Sequence, residues 1–527
     1  MGINRYYRAY LIKVYLFILT CFAFNGSQAQ SLPVGMPGFE EYYRRGQLNG
    51  QLDSTVSFTI RPLIPASIMT IGDLTDDSII PGHTLYESNT WKGNFKILPA
   101  IWDQQYVSNH PIYSNDGSLI PARGYQTRIS AGFFAKLGFL SVQVKPEYVF
   151  AENKDFKQMV LHYKSMDLPT RFGDKVYSNL SWGQSSLRLN FGAISFGLSN
   201  ENIFWGPGIQ NSLLMGNSAP GFKHLTLNTI RPIRTPIGSL EAQIIAGRLE
   251  GSGYSATLPE DWRYLSGIAF SYQPKWFPGL FLGLTRSFQM YNMDVKRNIG
   301  DLFPFLQAFQ KFKTDEDEKP RDQLVSLFGR WLLPTAKAEI YFEYGLNDHA
   351  YNTRDFLMSP EHSRAYTIGF QKLIPYKGTE DEFLQFGFEL TRMEQSLDWI
   401  FRNAGEWYAH GQVVHGYTNA GQVLGAKAGP GGNSQSFKLS WVKGLRQIGL
   451  QFERSEINGD LAKYSGYDDW LDFGIGANAF LPYRKFLLNF KLMGIQSVNY
   501  LYQSGLNGGP KKNAFNLNAQ FGVIYGF

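Results

Sequence analysis

The chain contains a single cysteine, Cys21, and it lies in a segment that export would remove. A mature chain without cysteine has no disulfide framework and no thiolate chemistry. Its stability must then come from size or from a closed hydrogen-bond network. Past residue 29 there is also no apolar run approaching the roughly 20 residues that a transmembrane helix needs. Charge is sparse: Asp, Glu, Lys and Arg make up only 18% of residues, and the formal net charge is +6. Removing Arg5, Arg8 and Lys13 with the leader leaves +3. That surplus is too small to argue for a nucleic-acid partner, whose phosphates demand a dense basic surface.

Metal-ligand spacing is lacking as well. The eight histidines are scattered, and His410 and His415, five apart, would face opposite sides of one regular strand. His362 sits between Glu361 and Ser363, but sequence neighbours are rarely triad partners in space. No Gly-rich phosphate loop follows a strand and opens a helix. No catalytic residue, metal site or cofactor is therefore expected.

What the chain does have begins with a targeting signal. Arg5, Arg8 and Lys13 form a positive start, Val14 to Phe24 is apolar, and Ser27-Gln28-Ala29 places small residues for cleavage after Ala29. The stretch is too short to span a bilayer as a helix. A lipidated Cys21 fits less well, because Thr20 precedes it and Phe22-Ala23-Phe24 continues the apolar run.

The exported remainder is rich in aromatics (41 Phe, 30 Tyr, 11 Trp) and in glycine (54). Its mean hydropathy of −0.24 would pass for a soluble protein. A membrane β-barrel averages this way, because only every second strand residue meets lipid and aromatic girdles mark both interfaces. The C-terminal segment is the clearest case. Every odd position from Phe515 to Phe527 is apolar, whereas Asn516, Asn518, Gln520, Gly522 and Gly526 occupy even ones, with Ile524 the exception. Period two puts one set on lipid and the other on a wet lumen. A terminal Phe after such a strand resembles the recognition signal of outer-membrane barrels.

The pattern recurs. Leu384, Phe386, Phe388 and Leu390 alternate with Gln385, Gly387 and Glu389; Ile340, Phe342, Tyr344 and Leu346 alternate with Tyr341, Glu343 and Gly345. Phe437, Leu439 and Trp441, and Phe486, Leu488, Phe490 and Leu492, repeat it. Such runs add up to roughly 16 to 18 strands, and a barrel that wide encloses a cavity instead of a packed core. The organisation expected is a signal peptide (1–29), a partly helical N-terminal periplasmic element (30–92) and an outer-membrane β-barrel (93–527).

Two helices are expected. Pro37 opens one through Arg45, with apolar Phe39, Tyr42 and Tyr43 and a stop near Gly50. Asp301 caps a second one reaching Phe312, with Leu302, Phe305, Leu306, Phe309 and Phe312 on one face. The buried-charge logic of a lumen also pairs Arg44, Arg45, Arg61 and Arg231 with carboxylates, although acidic polysaccharide or lipid phosphate would suit them too.

The stretch Ser199 to Leu227 breaks the alternation. It holds Asn200, Asn202, Asn211 and Asn217, with Trp205 between Phe204 and Gly206 and turns at Pro207-Gly208 and Pro220-Gly221. Amides both donate and accept, and an aromatic face stacks on the apolar face of a sugar ring. Trp205, Asn200, Asn202 and Asn211 are therefore the candidate carbohydrate-binding residues. The competing reading is a long internal loop whose amides satisfy its own turns.

This stretch resembles the signature of the capsule assembly protein Wzi family, in which an ENIWWGPG-like core is followed by NSLLM and NAPGF. Here the places read Glu201 to Gly208 (ENIFWGPG), Asn211 to Met215 (NSLLM) and Ser218 to Phe222 (SAPGF), with Ser218 departing from the family's Asn. Shorter matches include Tyr43-Arg44-Arg45, Ile60-Arg61-Pro62-Leu63, His415-Gly416-Tyr417 and Gly429-Pro430-Gly431. The resemblance implies a barrel near 18 strands with a small helical element on the periplasmic side. It further implies a lectin-like, non-enzymatic role in holding capsular or exopolysaccharide at the cell surface, with outer-membrane lipids around the barrel. A porin or solute-specific channel, or an outer-membrane hydrolase, remain the alternatives that the barrel alone would permit.

Overall fold

The computed structural model describes residues 30–65, 83–88, 93–158, 165–255, 258–307, 320–347, 353–379, 381–504 and 510–526. The expected signal peptide lies outside them. Eighteen antiparallel strands close into a barrel, sealed where Ala514–Tyr525 pairs with Gly93–Val107. Three of the eighteen are bent into two segments each: Leu140–Val144 with Glu147–Ala151, Tyr177–Ser181 with Ser186–Phe191, and His224–Thr229 with Ile233–Thr235. A further strand, His83–Ser88, pairs with the start of Gly93–Val107. No helix among the described residues is long and apolar enough to cross a membrane.

Period two governs the wall. On the last strand Phe515 is 58% exposed outward, while Asn516 and Asn518 are buried inside. Ile340 and Phe342 likewise face out, and Glu339, Tyr341 and Glu343 face in. The outward face is tied together by cross-strand aromatic pairs. Phe437 is in register with Phe388 on one side and Phe452 on the other, with ring centroids 4.8 and 6.4 Å apart. An apolar band of this kind is what hydrocarbon requires of a spanning barrel, and the chain is an outer-membrane protein.

The two rims differ. Gly138-Phe139, Gly192-Ala193, Gly444-Leu445 and Arg484-Lys485 make two-residue turns at one end. Long connections such as 108–123, 200–223 and 393–432 leave from the other. In bacterial outer-membrane barrels the short turns are periplasmic and the long loops extracellular.

The N-terminal segment lies inside the barrel at the short-turn end. Its helix spans Phe39–Leu48; Pro37 precedes it, because Gly38 in the left-handed region (φ 77°) forms the N-terminal boundary. Phe39 and Tyr43 pack with Met36, Phe58 and the inward wall residues Ile101, Phe480 and Ile524. Ile524, the apolar exception on the last strand, is thereby explained: its inward neighbour is this helix and not water. On the far side Leu48 packs against Phe281, Leu332, Leu373, Phe383 and Val442.

The second expected helix is much shorter. An α-helical turn spans Ile299–Leu302 and a 3-10 turn spans Pro304–Leu306; residues 308–319 lie outside the described set. Asn298, not Asp301, caps the start, its side chain accepting from the Asp301 amide. Pro304 and the extended conformation of Gln307 break the apolar periodicity that suggested a continuous helix.

Several charges inside the lumen are paired. Glu339 accepts from Arg44 Nε at 2.5 Å and from Arg330 Nε at 2.7 Å, all three buried. Arg61 pairs with Glu40 at 3.1 Å, and Arg45 donates to Gln447 and to the Gly444 carbonyl. Arg231 alone of the four sequence-chosen cations is exposed. Removing one partner from a buried pair strands the others. Glu339→Ala is accordingly expected to cost about 3–5 kcal/mol, lowering the urea midpoint of the barrel in detergent micelles. Glu382→Ala, at the exposed Lys443 pair, is expected to leave that midpoint nearly unchanged.

Candidate functional site

Between the strands Ile194–Ser199 and His224–Thr229 the chain leaves the wall and folds into the lumen. Residues 201–208 and 211–219 of this insert are all buried. Trp205, Leu213, Leu214, Met215 and Ala219 form an apolar core with wall residues such as Ile245, Leu265 and Ala269. Trp407, Tyr408, Tyr417 and Leu424, from the long connection 393–432, complete it. The barrel therefore contains the packed core that its width alone would not predict.

Polar groups of the insert are matched to the wall. Glu389 accepts the backbone N–H groups of Ile209, Gln210 and Asn211 at 2.7–3.1 Å, and the Tyr341 hydroxyl at 2.8 Å. Glu343 accepts from Leu213 N and the Ser326 hydroxyl. Glu201 meets the buried wall Arg188 at 2.6 Å. From the N-terminal segment, Arg44 donates to the Pro207 carbonyl, and Arg61 donates to the carbonyls of Gly206 and Gly208. The Arg61 guanidinium also lies 3.6 Å over the Phe204 ring, which explains an aromatic at that place.

Two glycines are demanded by this packing. Gly206 has φ 107°, and a Cβ there would lie 2.8 Å from Glu343 Oε2. A Cβ on Gly221 would lie 2.0 Å from the Asn200 carbonyl oxygen. The Ser218 hydroxyl donates to Asn115 Oδ1 at 3.0 Å, so the position that departs from the family pattern still ties the insert to the 108–123 loop.

The structure brings the four sequence-chosen residues into one insert and gives each a protein partner. Trp205 is 0% exposed and its indole N–H donates to Gln243 at 2.8 Å. Asn202 donates to Asn217 Oδ1 and the Ala219 carbonyl and accepts from Gln184. Asn211 donates to Ser434 and accepts from Ala428 N, and Asn200 donates to the Gly183 carbonyl. This is the arrangement of an internal loop satisfying itself. Trp205, chosen for stacking, has no open ring face.

The roles of His415-Gly416-Tyr417 and Trp407-Tyr408 are visible only in the structure. The Tyr408 hydroxyl donates to the Leu213 carbonyl and accepts from Ala426 N, both at 2.8 Å, bolting the two inserted loops together. His415 is held against the Tyr291 hydroxyl, and burial with the nearby Arg263 pushes its pKa to about 4, so the ring is neutral. His410 is elsewhere, accepting from Gln412 N and Val413 N. The available signal was the aromatic, Gly-rich and non-periodic character of 403–432.

Above the insert, toward the long-loop end, lies a cavity of about 200 Å³. Its aromatic wall is built from two connections and the first residue of the strand Trp470–Tyr483. His110 stacks on Tyr500 at 4.5 Å, and Trp470 meets Tyr500 edge-on at 4.9 Å. Burial pushes His110 below its usual range, so it too is neutral at pH 7. Asn499, Leu501 and Tyr502 all have φ of 52–60°, a conformation that costs non-glycine residues about 1–3 kcal/mol each. Asn499 Nδ2 donates to the Asp468 carbonyl at 2.7 Å, and the Tyr502 hydroxyl to the Ile457 carbonyl, which hold the strained turn in place. Tyr113, Phe156, Lys427, Glu453, Asp472 and Lys491 also line the cavity.

Two outcomes check the assignment of the insert. Glu389→Ala removes the acceptor for three successive amides, and the expected result is loosening of the insert and larger, noisier ion conductance in planar bilayers. Trp205→Ala is expected to cost about 3–5 kcal/mol of stability by leaving a cavity, read as a lower denaturant midpoint.

Comparison with known proteins agrees with this architecture. The structure of Escherichia coli Wzi aligns with a TM-score of 0.63 at 12% identity, covering 94% of this chain and 100% of that one. That protein is described as an outer-membrane, carbohydrate-binding β-barrel involved in group 1 capsule assembly. Acinetobacter baumannii OccAB4 aligns with a TM-score of 0.40 at 12% identity, covering 82% of this chain and 97% of that one. Pseudomonas aeruginosa OprD aligns with a TM-score of 0.38 at 10% identity, covering 81% and 92%. No curated protein sequence matches. The family model "Capsule assembly protein Wzi" matches residues 100–481, most of the barrel together with both lumen inserts, and the chain belongs to that family.

Proposed function

We propose that this protein binds capsular or exopolysaccharide at the outer surface and attaches it to the cell, without catalysing its turnover. The observation that carries the reading is the filled lumen with an aromatic-walled cavity left open above it. A channel needs a continuous wet path, whereas here two inserts pack an apolar core across the barrel. A binding protein needs a rigid concave surface that mixes ring faces with polar groups, which the cavity at His110, Trp470 and Tyr500 supplies. Trp205, Asn200, Asn202 and Asn211 serve this function by shaping the insert beneath the cavity. Individual sugar contacts are weak, and a repeating polymer meeting many barrels is retained by avidity.

The test is the partition of surface polysaccharide between cells and medium with and without the gene. The expected result is unchanged total polymer, shifted into the medium on deletion. Polymer that stays on the deleted cells would sink the attachment function.

A further inference from the structure

The cavity contains four charged side chains, and their partners are unequal. Glu453 accepts from Lys427 at 2.8 Å and from Gln451 and Ser455. Asp472 accepts from the Trp470 indole at 2.7 Å. Lys491, inward-facing on the strand Phe486–Val498, makes no hydrogen bond or ion pair among the described residues. Its charged surroundings are Lys427, Lys438, Glu453 and Asp116, and Lys438 is itself paired with Glu41. An ammonium in a lumen has three donors to place, and a site that leaves them open is suited to an anionic, acceptor-rich ligand.

The aromatic lining shows the same inequality. His110, Tyr500 and Trp470 pack against one another and serve as wall. Tyr113, 48% exposed, and the half-buried Phe156 line the same cavity without stacking on another ring among the described residues. Among the described residues, two open ring faces and one open ammonium share one concave surface.

Resting on the polysaccharide reading, we infer that this cavity takes a carboxylate-bearing sugar unit, with Lys491 on the carboxylate and Tyr113 and Phe156 on the apolar ring face. Glu453 is taken up by Lys427 and Asp472 accepts from the Trp470 indole, so Lys491 is the cation left to set preference for charge. Tyr113 and Phe156 contribute to acidic and neutral sugars alike, because every pyranose has an apolar face.

The experiment uses the purified full barrel in detergent micelles, titrated with oligogalacturonate and oligoguluronate and with the same oligomers after reduction of their carboxyl groups. Tryptophan fluorescence and calorimetry report binding. The acidic forms are expected to bind about tenfold tighter than the reduced ones, the worth of one charge-assisted hydrogen bond. Lys491→Met is expected to erase that difference and Lys491→Arg to keep it, while Tyr113→Ala weakens both forms equally. Heat-modifiable gel mobility verifies that each variant is a folded barrel. Equal affinity for acidic and reduced oligomers, or a preference that survives in Lys491→Met, overturns the acidic-sugar assignment alone. Binding of neither form overturns the cavity as a sugar site, and retention of polymer on cells lacking the gene overturns the attachment function separately.

Discussion

The interior of this barrel depends on wall carboxylates that anchor chain folded into the lumen. Glu339 holds Arg44 of the N-terminal helix, and Glu389 holds three successive amides of the 200–222 insert. Glu343 takes the Leu213 amide, and Glu241 takes the Ser57 amide at 2.7 Å. Backbone polar groups buried without partners cost as much as lost hydrogen bonds. An irregular segment can therefore cross a membrane-depth cavity only if the wall supplies acceptors and donors at the right places. These glutamates supply the acceptors, and Arg188 and Arg330 supply cationic donors.

Once anchored, the inserts convert a wide barrel into a solid support. Tyr408 bridges the two inserted loops, and Trp205, Trp407 and Tyr417 fill the space between them. The same filling gives the long-loop end a floor. The aromatic cavity stands on that floor, and its strained Asn499–Tyr502 turn is held by hydrogen bonds that it donates to the Asp468 and Ile457 carbonyls. Pre-organisation of this kind lowers the ordering cost of binding a flexible polymer, for which each unit contributes little.

The family motif acquires a physical meaning in this arrangement. The ENIFWGPG run is a folding instruction for the insert. Glu201 meets Arg188, Phe204 lies under Arg61, Trp205 fills the core, and Gly206 gives room beside Glu343. Arg44 and Arg61 cap the carbonyls of the Gly206–Gly208 turn, so the short N-terminal matches and the central motif are two halves of one contact.

The sequence alone determined the barrel, because alternation with period two is a local property. Phe515 against Asn516, or Phe342 against Glu343, is legible wherever one face meets hydrocarbon and the other does not. It also singled out the 199–227 stretch, since loss of alternation and clustered Gly, Pro and Asn are likewise local. What only the tertiary structure decided is which face of that stretch is free. Trp205 and Asn202 carry the chemistry of a sugar site, but Gln243, Gln184 and Asn217, distant along the chain or across a turn, take up their hydrogen bonds. The cavity is assembled from residues within 110–114, 156–158, 168–170, 423–434, 453–474 and 491–501, segments that barrel closure brings together. No window of sequence contains that site, because burial and hydrogen-bond satisfaction are set by barrel closure and by the chain packed inside it.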